Sequence, residues 1–200
     1  MRLRLIGLIV LVISLPLSVS IRSLARADEA DIETTLGDEK ATVDKDKQLH
    51  LDATAQINAP ADKVYDALTH PEKVAKYDSR FTDVKVVSHD ANGKTVEYKG
   101  QILPDPNAPP SFQVQYSFDP ATKSVSARNA GKSQIQFQNH TEVKPSKDGK
   151  GTDIHYTSVS SSTGPIMGLN PSEGMRTQFA LNAFMRQMHN VGLYIQKGGK

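Results

Sequence analysis

Tyrosine, asparagine and hydroxyl side chains are the residues through which this sequence could bind or act on a small molecule. Several of them alternate in phase with apolar neighbours on predicted strands, and these are Tyr98, Tyr116, Asn139, Thr141, Tyr156 and Ser158. Phenol, amide and hydroxyl groups that face a mostly apolar cavity can orient a ligand. A single buried tyrosine more often just reaches a backbone carbonyl. The set as a whole indicates a lined cavity.

The side chains that usually hold metals or act as nucleophiles show no functional spacing. The chain has six histidines and no cysteine, and no histidine pair follows an H-x-x-x-H or H-x-H pattern. The absence of cysteine excludes disulfides, thiol nucleophiles and Cys-ligated zinc. No G-x-S-x-G motif, phosphate-binding loop or dinucleotide fingerprint is present. We therefore expect no catalytic residues, no metal site and no cofactor.

The first 27 residues have the pattern of an export signal. Arg2 and Arg4 precede an apolar run from Leu5 to Val19, and Ala25-Arg26-Ala27 offers an A-x-A cleavage site. We predict a signal peptide over residues 1–27 that is cleaved at this site, and therefore a periplasmic or secreted protein. A retained anchor is the alternative, although the run is shorter than the roughly 20 residues that a spanning helix needs.

The charge of the chain changes sign when the predicted signal is removed. The whole sequence has a net charge of +2, but residues 1–27 contain four arginines and no acid, so the rest carries 20 basic and 22 acidic residues. A nearly neutral domain gives no electrostatic basis for binding nucleic acid. Residues 28–47, rich in acid, lysine and threonine, predict a flexible acidic leader. Residues 48–200 then form one ligand-binding domain.

The elements that must position the inward-facing residues follow the order strand, two short helices, six strands and one long helix. Alternation is clearest from Ser111 to Phe118, and apolar residues recur at helical spacing from about Pro171 to Gln196. An antiparallel sheet with one polar face must bury the other face. Only the last helix is long enough to cover it. The pattern predicts an α+β fold.

A family resemblance is carried by the segment that begins at Ile57-Asn58-Ala59-Pro60 and ends at Ala75-Lys76-Tyr77. A strand leads into a helix started by a proline, a His-Pro break at residues 70–71, and a second short helix. This resembles the opening of the START-like (SRPBCC, polyketide cyclase/dehydrase-like) helix-grip superfamily. The resemblance implies a curved antiparallel sheet of about seven strands, two short cap helices after the first strand, and a long C-terminal helix across the concave face.

The resemblance also implies that an apolar ligand lies between the sheet and the long helix. From it and from the strand pattern we expect ten ligand-binding residues: Tyr98, Phe112, Val114, Tyr116, Phe137, Asn139, Tyr156, Phe179, Phe184 and Met188. The leading hypothesis is an exported carrier of a lipid, sterol-like or quinone-like molecule that contacts a membrane transiently. The alternatives are a polyketide cyclase/dehydratase-like enzyme and a non-catalytic stress or interaction module. The sequence favours a binding protein over an enzyme and gives no indication of oligomeric state.

Overall fold

The computed structural model describes residues 32–100, 111–131, 135–162 and 171–199. The predicted signal peptide and the proline-rich loop at residues 103–110 lie outside the described residues. Within these ranges the fold is α+β, as predicted, with one antiparallel sheet and a long C-terminal helix. The strands are β1 (Thr34–Val43), β2 (Leu49–Ile57), β3 (Phe81–His89), β4 (Gly93–Gly100), β5 (Ser111–Asp119), β6 (Ser124–Asn129), β7 (Ile135–Pro145) and β8 (Thr152–Ser162). The helices are α1 (Ala61–Thr69), α2 (Pro71–Val74) and α3 (Glu173–Gln196), with a 3₁₀ turn at Ala75–Tyr77.

The eight strands form a single sheet in the order β1-β2-β8-β7-β6-β5-β4-β3. Every neighbouring pair is antiparallel. The register places Ile57, Asp119 and Thr152 at one end of the sheet, which we call the cap end. Leu49 and Ser111 lie at the opposite end, which we call the open end.

The helices α1 and α2 follow β2 directly and close the cap end. Pro60 is the N-cap residue of α1, with an extended backbone, and the apolar side chains Val64 and Leu68 are buried. The helix ends at His70 because the proline that follows disfavours helical backbone at that residue. The hydroxyl of Thr152 donates a 2.6 Å hydrogen bond to the carbonyl of Ala59, which ties the start of this segment to β8.

The helix α3 runs along the inner face of the sheet from the open end to the cap end. It begins two residues after the predicted start, and the side chain of Ser172 caps it by accepting a hydrogen bond from the N–H of Met175 at 3.3 Å. Its main packing partners are β1, β2 and the cap helices. A side-chain carbon at Gly192 would lie 3.3 Å from Ile32, so the helix and the start of the described chain pack closely there. None of the helices in the described residues is long and apolar enough to cross a membrane.

The strand β1 corrects the prediction of a flexible leader over residues 28–47. Thr34–Leu36 and Glu39–Val43 pair antiparallel with β2. Most of its side chains are exposed, so it has no buried face that would produce alternation in the sequence. It is held by backbone hydrogen bonds at the sheet edge, with an irregularity between Leu36 and Glu39. This added strand explains why the sheet has eight strands where about seven were expected.

Candidate functional site

The inner face of the sheet is packed unevenly. One cluster of buried residues lies under α3 and includes Leu51, Ile57, Ile154, Phe184 and Met188; we call it the aliphatic core. A second cluster lies on the other half of the sheet and consists of Ala75, Val96, Tyr98, Val114 and Ala127, with Phe81, Val84, Phe112, Tyr116 and Phe137 packed against it; we call it the aromatic cluster. Since the main sheet partners of α3 are β1 and β2, the aromatic cluster lies largely beyond its cover. Phe112 and Phe137 keep partial exposure although they face inward.

Two tyrosines of the aromatic cluster form a hydroxyl pair. The hydroxyl oxygens of Tyr98 and Tyr116 lie 2.6 Å apart, and either can be the donor. The ring of Tyr98 stacks on Phe112, with 5.1 Å between centroids and 12° between planes, and lies 5.0 Å from the ring of Phe81. Because the pair shares one hydrogen bond, one of its two O–H hydrogens is left to donate to another group. We call Tyr98 and Tyr116 the tyrosine pair.

Both members of the tyrosine pair stay protonated at neutral pH. Burial raises the pKa of Tyr116 to about 12, and burial raises the pKa of Tyr98 well above its usual value. The negative charge of Glu72 raises both pKa values further. Phenols in this state donate and accept hydrogen bonds, but they are poor bases at neutral pH.

A row of small and polar side chains crosses the middle of the inner face. The register places Tyr116 opposite Ala127, Ala127 opposite Asn139, and Asn139 opposite Ser158. The hydroxyl of Tyr156 forms hydrogen bonds with Ser158 and Asn139. Burial raises the pKa of Tyr156, and these two hydrogen bonds offset part of that increase. Ala127 and Ser158 are the small members of this row, and both are buried.

An ion pair borders the tyrosine pair from the side of the cap helices. The Nζ of Lys94 on β4 lies 3.2 Å from the Oε2 of Glu72 on α2, and the two side chains are only 15% and 18% exposed. The same ammonium lies 5.7 Å from the ring centroid of Phe118. Lys94 is the direct strand partner of Tyr116. The ion pair therefore brings a charged group of each sign next to the hydroxyls.

The sequence analysis missed this ion pair. The sequence did contain a sign of the position of Lys94. Lys94 alternates in phase with Val96 and Tyr98, so it lies on the inner face of β4. Glu72 follows Pro71 in the short second helix, where an acid is usually a solvated first-turn residue. The separation of 22 residues between the partners hides the contact from any local pattern.

A cavity of about 270 Å³ lies beside this ion pair at the β3–β4 hairpin. Lys94, Tyr116 and Phe118 line it together with polar residues of the hairpin, such as His89 and Asn92. Tyr116 therefore belongs both to the aromatic cluster and to the lining of this cavity.

The structure brings most of the predicted ligand-binding residues together, in two groups. Tyr98, Phe112, Val114, Tyr116 and Phe137 belong to the aromatic cluster. Tyr156, Phe184 and Met188 belong to the aliphatic core, where the rings of Tyr156 and Phe184 stack at 4.5 Å. Asn139 joins the two groups through its bond to Tyr156. Their role in ligand binding stays a prediction.

Phe179 is placed differently from the other predicted residues. It lies on the exposed side of the first turns of α3 and is 40% exposed. The described residues give it no part in either cluster.

The described residues contain no group of three or more histidine and carboxylate side chains arranged to hold a metal ion. Two of the strand histidines lie on the polar outer face, where His155 pairs with Asp52 at 2.9 Å and His140 with Glu142 at 3.8 Å, whereas His89 is the strand partner of Lys94 and lines the cavity. The polar groups of the inner face include hydroxyls, the amide of Asn139 and the Glu72–Lys94 pair. This arrangement can orient a neutral polar group inside an apolar surface.

Comparison with known proteins agrees with this geometry. A family profile described as polyketide cyclase / dehydrase and lipid transport matches residues 48–190. No curated protein sequence matches the chain.

Several solved structures share the fold. The Zhui aromatase/cyclase from Streptomyces sp. R1128 is 16% identical with a TM-score of 0.60, over 75% of this chain and 95% of that one. A START superfamily protein from Mycobacterium smegmatis is 9% identical with a TM-score of 0.57, over 74% and 97%. The protein TTHA0849 from Thermus thermophilus is 15% identical with a TM-score of 0.55, over 74% and 95%. At these identities the likeness shows the helix-grip fold.

Proposed function

We propose that this protein is an exported carrier of a small hydrophobic ligand. The chain belongs to the polyketide cyclase / dehydrase and lipid transport family, and the fold of this family typically binds such ligands. The ligand is a small amphipathic molecule of the lipid, sterol-like or quinone-like kind. It is held without covalent chemistry between the sheet and α3, and it is exchanged during transient contact with a membrane or another protein.

One observation carries this proposal: the inner face of the sheet presents incompletely buried aromatic side chains around a buried hydroxyl pair. Phe112 and Phe137 face inward and keep partial exposure, while the hydroxyls of the tyrosine pair are enclosed behind them. Apolar side chains that face the interior without being covered are what an apolar ligand would cover.

The energetics favour an apolar molecule with one polar end. Burying hydrocarbon against the aromatic cluster contributes about 0.8 kcal/mol for each CH₂ group. The tyrosine pair offers one hydrogen for a polar atom that would otherwise lose its bond to water. A ligand without a polar atom would leave that hydrogen unpaired, so the site favours amphipathic molecules.

The open end of the sheet is the side from which we expect the ligand to enter. Phe112 and Phe137 lie toward this end, whereas Val125, Thr141 and Val143 of the neighbouring strands are buried toward the cap end. The cap helices close the other end. The export part of the proposal is supported by the signal pattern of residues 1–27 alone.

The test is native mass spectrometry on Asp28–Lys200 purified from a periplasm, followed by solvent extraction. A lipid or quinone that co-purifies at near-equal stoichiometry, or is taken up on mixing, supports the proposal. A protein that carries no ligand and takes up none from a panel of lipids and quinones contradicts it.

A matched pair of variants sharpens this test. Ala127→Leu places a larger side chain in the centre of the inner face, and Arg128→Leu places the same side chain one residue later on the outer face. We expect Ala127→Leu to lose the ligand and Arg128→Leu to retain it. Equal retention by the two variants would place the ligand elsewhere.

A cyclase-like enzyme is the second candidate, and one observation favours it. A carboxylate, Glu72, acts electrostatically on two protonated phenols, which is a combination that can remove a proton beside a carbonyl and stabilise the enolate. The test is hydrogen–deuterium exchange at the α-carbon of a bound ketone. Exchange that is faster with the wild type than with Glu72→Gln supports an enzyme, and exchange at the uncatalysed rate supports a carrier.

A further inference from the structure

We propose that the site selects its ligand by the charge of the polar end: it accepts an uncharged carbonyl or hydroxyl group and excludes a carboxylate, with Glu72 as the residue that determines this specificity. This inference rests on the proposed function, because it names the class of ligand bound at the same site. A neutral head group of this kind could belong to a quinone, a sterol or a neutral lipid. A free fatty acid is excluded.

The first step is the hydrogen-bonding capacity of the tyrosine pair. The oxygens of Tyr98 and Tyr116 share one hydrogen bond at 2.6 Å, so a single O–H hydrogen remains for the ligand. One neutral hydroxyl satisfies a carbonyl oxygen, which needs only one donor. A buried carboxylate needs several donors or a cation to replace its hydration.

The second step is the charge that faces the pair. Glu72 lies close enough that its negative charge raises the pKa of Tyr98 and the pKa of Tyr116. Glu72 therefore disfavours added negative charge at the two hydroxyls, although its own carboxylate is paired with Lys94 at 3.2 Å. A second carboxylate placed there would be repelled, because the interaction of two like charges is strengthened where water is excluded.

The third step is that Lys94 and Arg80, two described cations beside the aromatic cluster, are already held in ion pairs. Lys94 is the strand partner of Tyr116, but its ammonium is already bound to Glu72 at 3.2 Å. Arg80, another cation near this cluster, is bound to Asp78 at 2.6 Å. A ligand carboxylate could use either cation only by breaking an existing partly buried ion pair, which leaves the displaced acid unpaired.

Glu72 is the residue whose removal should change the preference. In Glu72→Gln the negative charge is lost and the ammonium of Lys94 loses its partner, so the same pocket becomes positive. We therefore expect this variant to gain affinity for a carboxylate. In the double variant Glu72→Gln, Lys94→Met both charges are gone, and the gain should disappear while neutral ligands still bind.

The experiment measures the affinity of the mature protein for two matched pairs of probes at neutral pH by calorimetry. Acetylnaphthalene and naphthoate share a flat ring system, and methyl palmitate and palmitate share an acyl chain. The flat pair and the acyl pair distinguish a quinone-like or sterol-like ligand from a lipid. The control variant is Glu97→Gln, which makes the same change on the outer face of β4, where Glu97 pairs with Lys85.

We expect the wild type to bind the neutral member of at least one pair about tenfold or more tightly than the anion, which corresponds to about 1.4 kcal/mol. Glu72→Gln should lower the ratio of neutral-probe affinity to anion affinity about tenfold, or make the anion the tighter ligand. Glu97→Gln should leave it unchanged. Circular dichroism shows whether each variant folds, and the wild-type ratio tests the inference even where a variant does not.

Two results would overturn the inference and leave the carrier proposal in place. One is equal affinity of the wild type for the neutral and anionic members of a pair. The other is a folded Glu72→Gln protein with an unchanged ratio. If the wild type binds none of the four probes, the proposed function and this inference fall together.

Discussion

The two halves of the interior differ in how completely their side chains are buried. In the aliphatic core, Phe184 and Met188 of α3 meet Ile154 and Leu51 of the sheet, and each of these side chains is almost fully buried. In the aromatic cluster, the facing helical residue is the small Ala75, and the phenylalanine rings are only partly covered, although Tyr98 is buried. The aliphatic half joins helix to sheet, whereas the aromatic half presents rings and hydroxyls toward the open end.

This difference predicts that stability and ligand binding depend on different halves of the interior. Complete burial of an apolar side chain contributes about 1.5–3 kcal/mol, so the aliphatic core carries most of the stabilisation. Partly buried rings contribute less and remain available to a ligand. Substitutions should therefore have their main effect on folding in one half and on binding in the other.

The largest effect is expected from Phe184→Ala in the aliphatic core. Phe184 is 1% exposed and stacks on Tyr156, so its removal leaves a cavity that the neighbours cannot fill. We expect a loss of about 3–5 kcal/mol in the free energy of unfolding. Urea denaturation followed by circular dichroism measures it. A loss below about 1 kcal/mol would contradict the division between the two halves.

The next effect is a loss of stability at high pH from the aromatic cluster. The pKa of Tyr116 is raised from 10.0 to about 12, so the folded protein holds this proton more tightly than the unfolded chain does. The stabilisation is complete below pH 10 and is lost as the pH rises toward about 12, by up to about 1.4 kcal/mol per pH unit. Denaturation midpoints across this range measure it. Tyr116→Phe should flatten the dependence, and an unchanged slope in this variant would contradict the assignment.

A smaller loss is expected from breaking the tyrosine pair on one side. Tyr98→Phe leaves the hydroxyl of Tyr116 buried without its partner, which costs about 1–3 kcal/mol. The double variant Tyr98→Phe, Tyr116→Phe removes both polar groups and should be more stable than the sum of the single changes predicts. A double-mutant cycle measures this coupling. Strict additivity would show that the two hydroxyls do not interact.

The smallest effect on folding is expected from Phe112→Ala. It is the counterpart, in the aromatic cluster, of Phe184→Ala in the aliphatic core. Phe112 stacks on Tyr98 but is only partly buried, so the free energy of unfolding should fall by about 1 kcal/mol or less. The affinity for a bound probe should fall much more, as measured by calorimetry. Equal affinity in Phe112→Ala and wild type would remove this ring from the site.

The strands and the long helix were predictable because their patterns are local. Phe112, Val114, Tyr116 and Phe118 alternate with polar residues, and all four face the interior of the structure as the alternation requires. The apolar residues of α3 recur at helical spacing because one stripe of the helix is buried. Each pattern records which face of its own element is buried.

The strand β1 and the Glu72–Lys94 pair were not predictable for related reasons. Few side chains of β1 are buried, so its sequence resembles that of a solvated segment, and its structure depends on the backbone of β2. The pairing of Lys94 depends on how α2 lies across β4. Both features depend on a second segment that is distant in the sequence, and neither element alone contains the information.

The direction of β1 determines at which end of the sheet the described chain begins. Thr34 pairs with Ile57 at the cap end, and the N–H of Asn58 donates to the carbonyl of Glu33, so the chain enters the sheet beside α1. The ten residues of β1 then span about 33 Å toward the open end. The start of the described chain and the proposed ligand entrance therefore lie at opposite ends of the sheet.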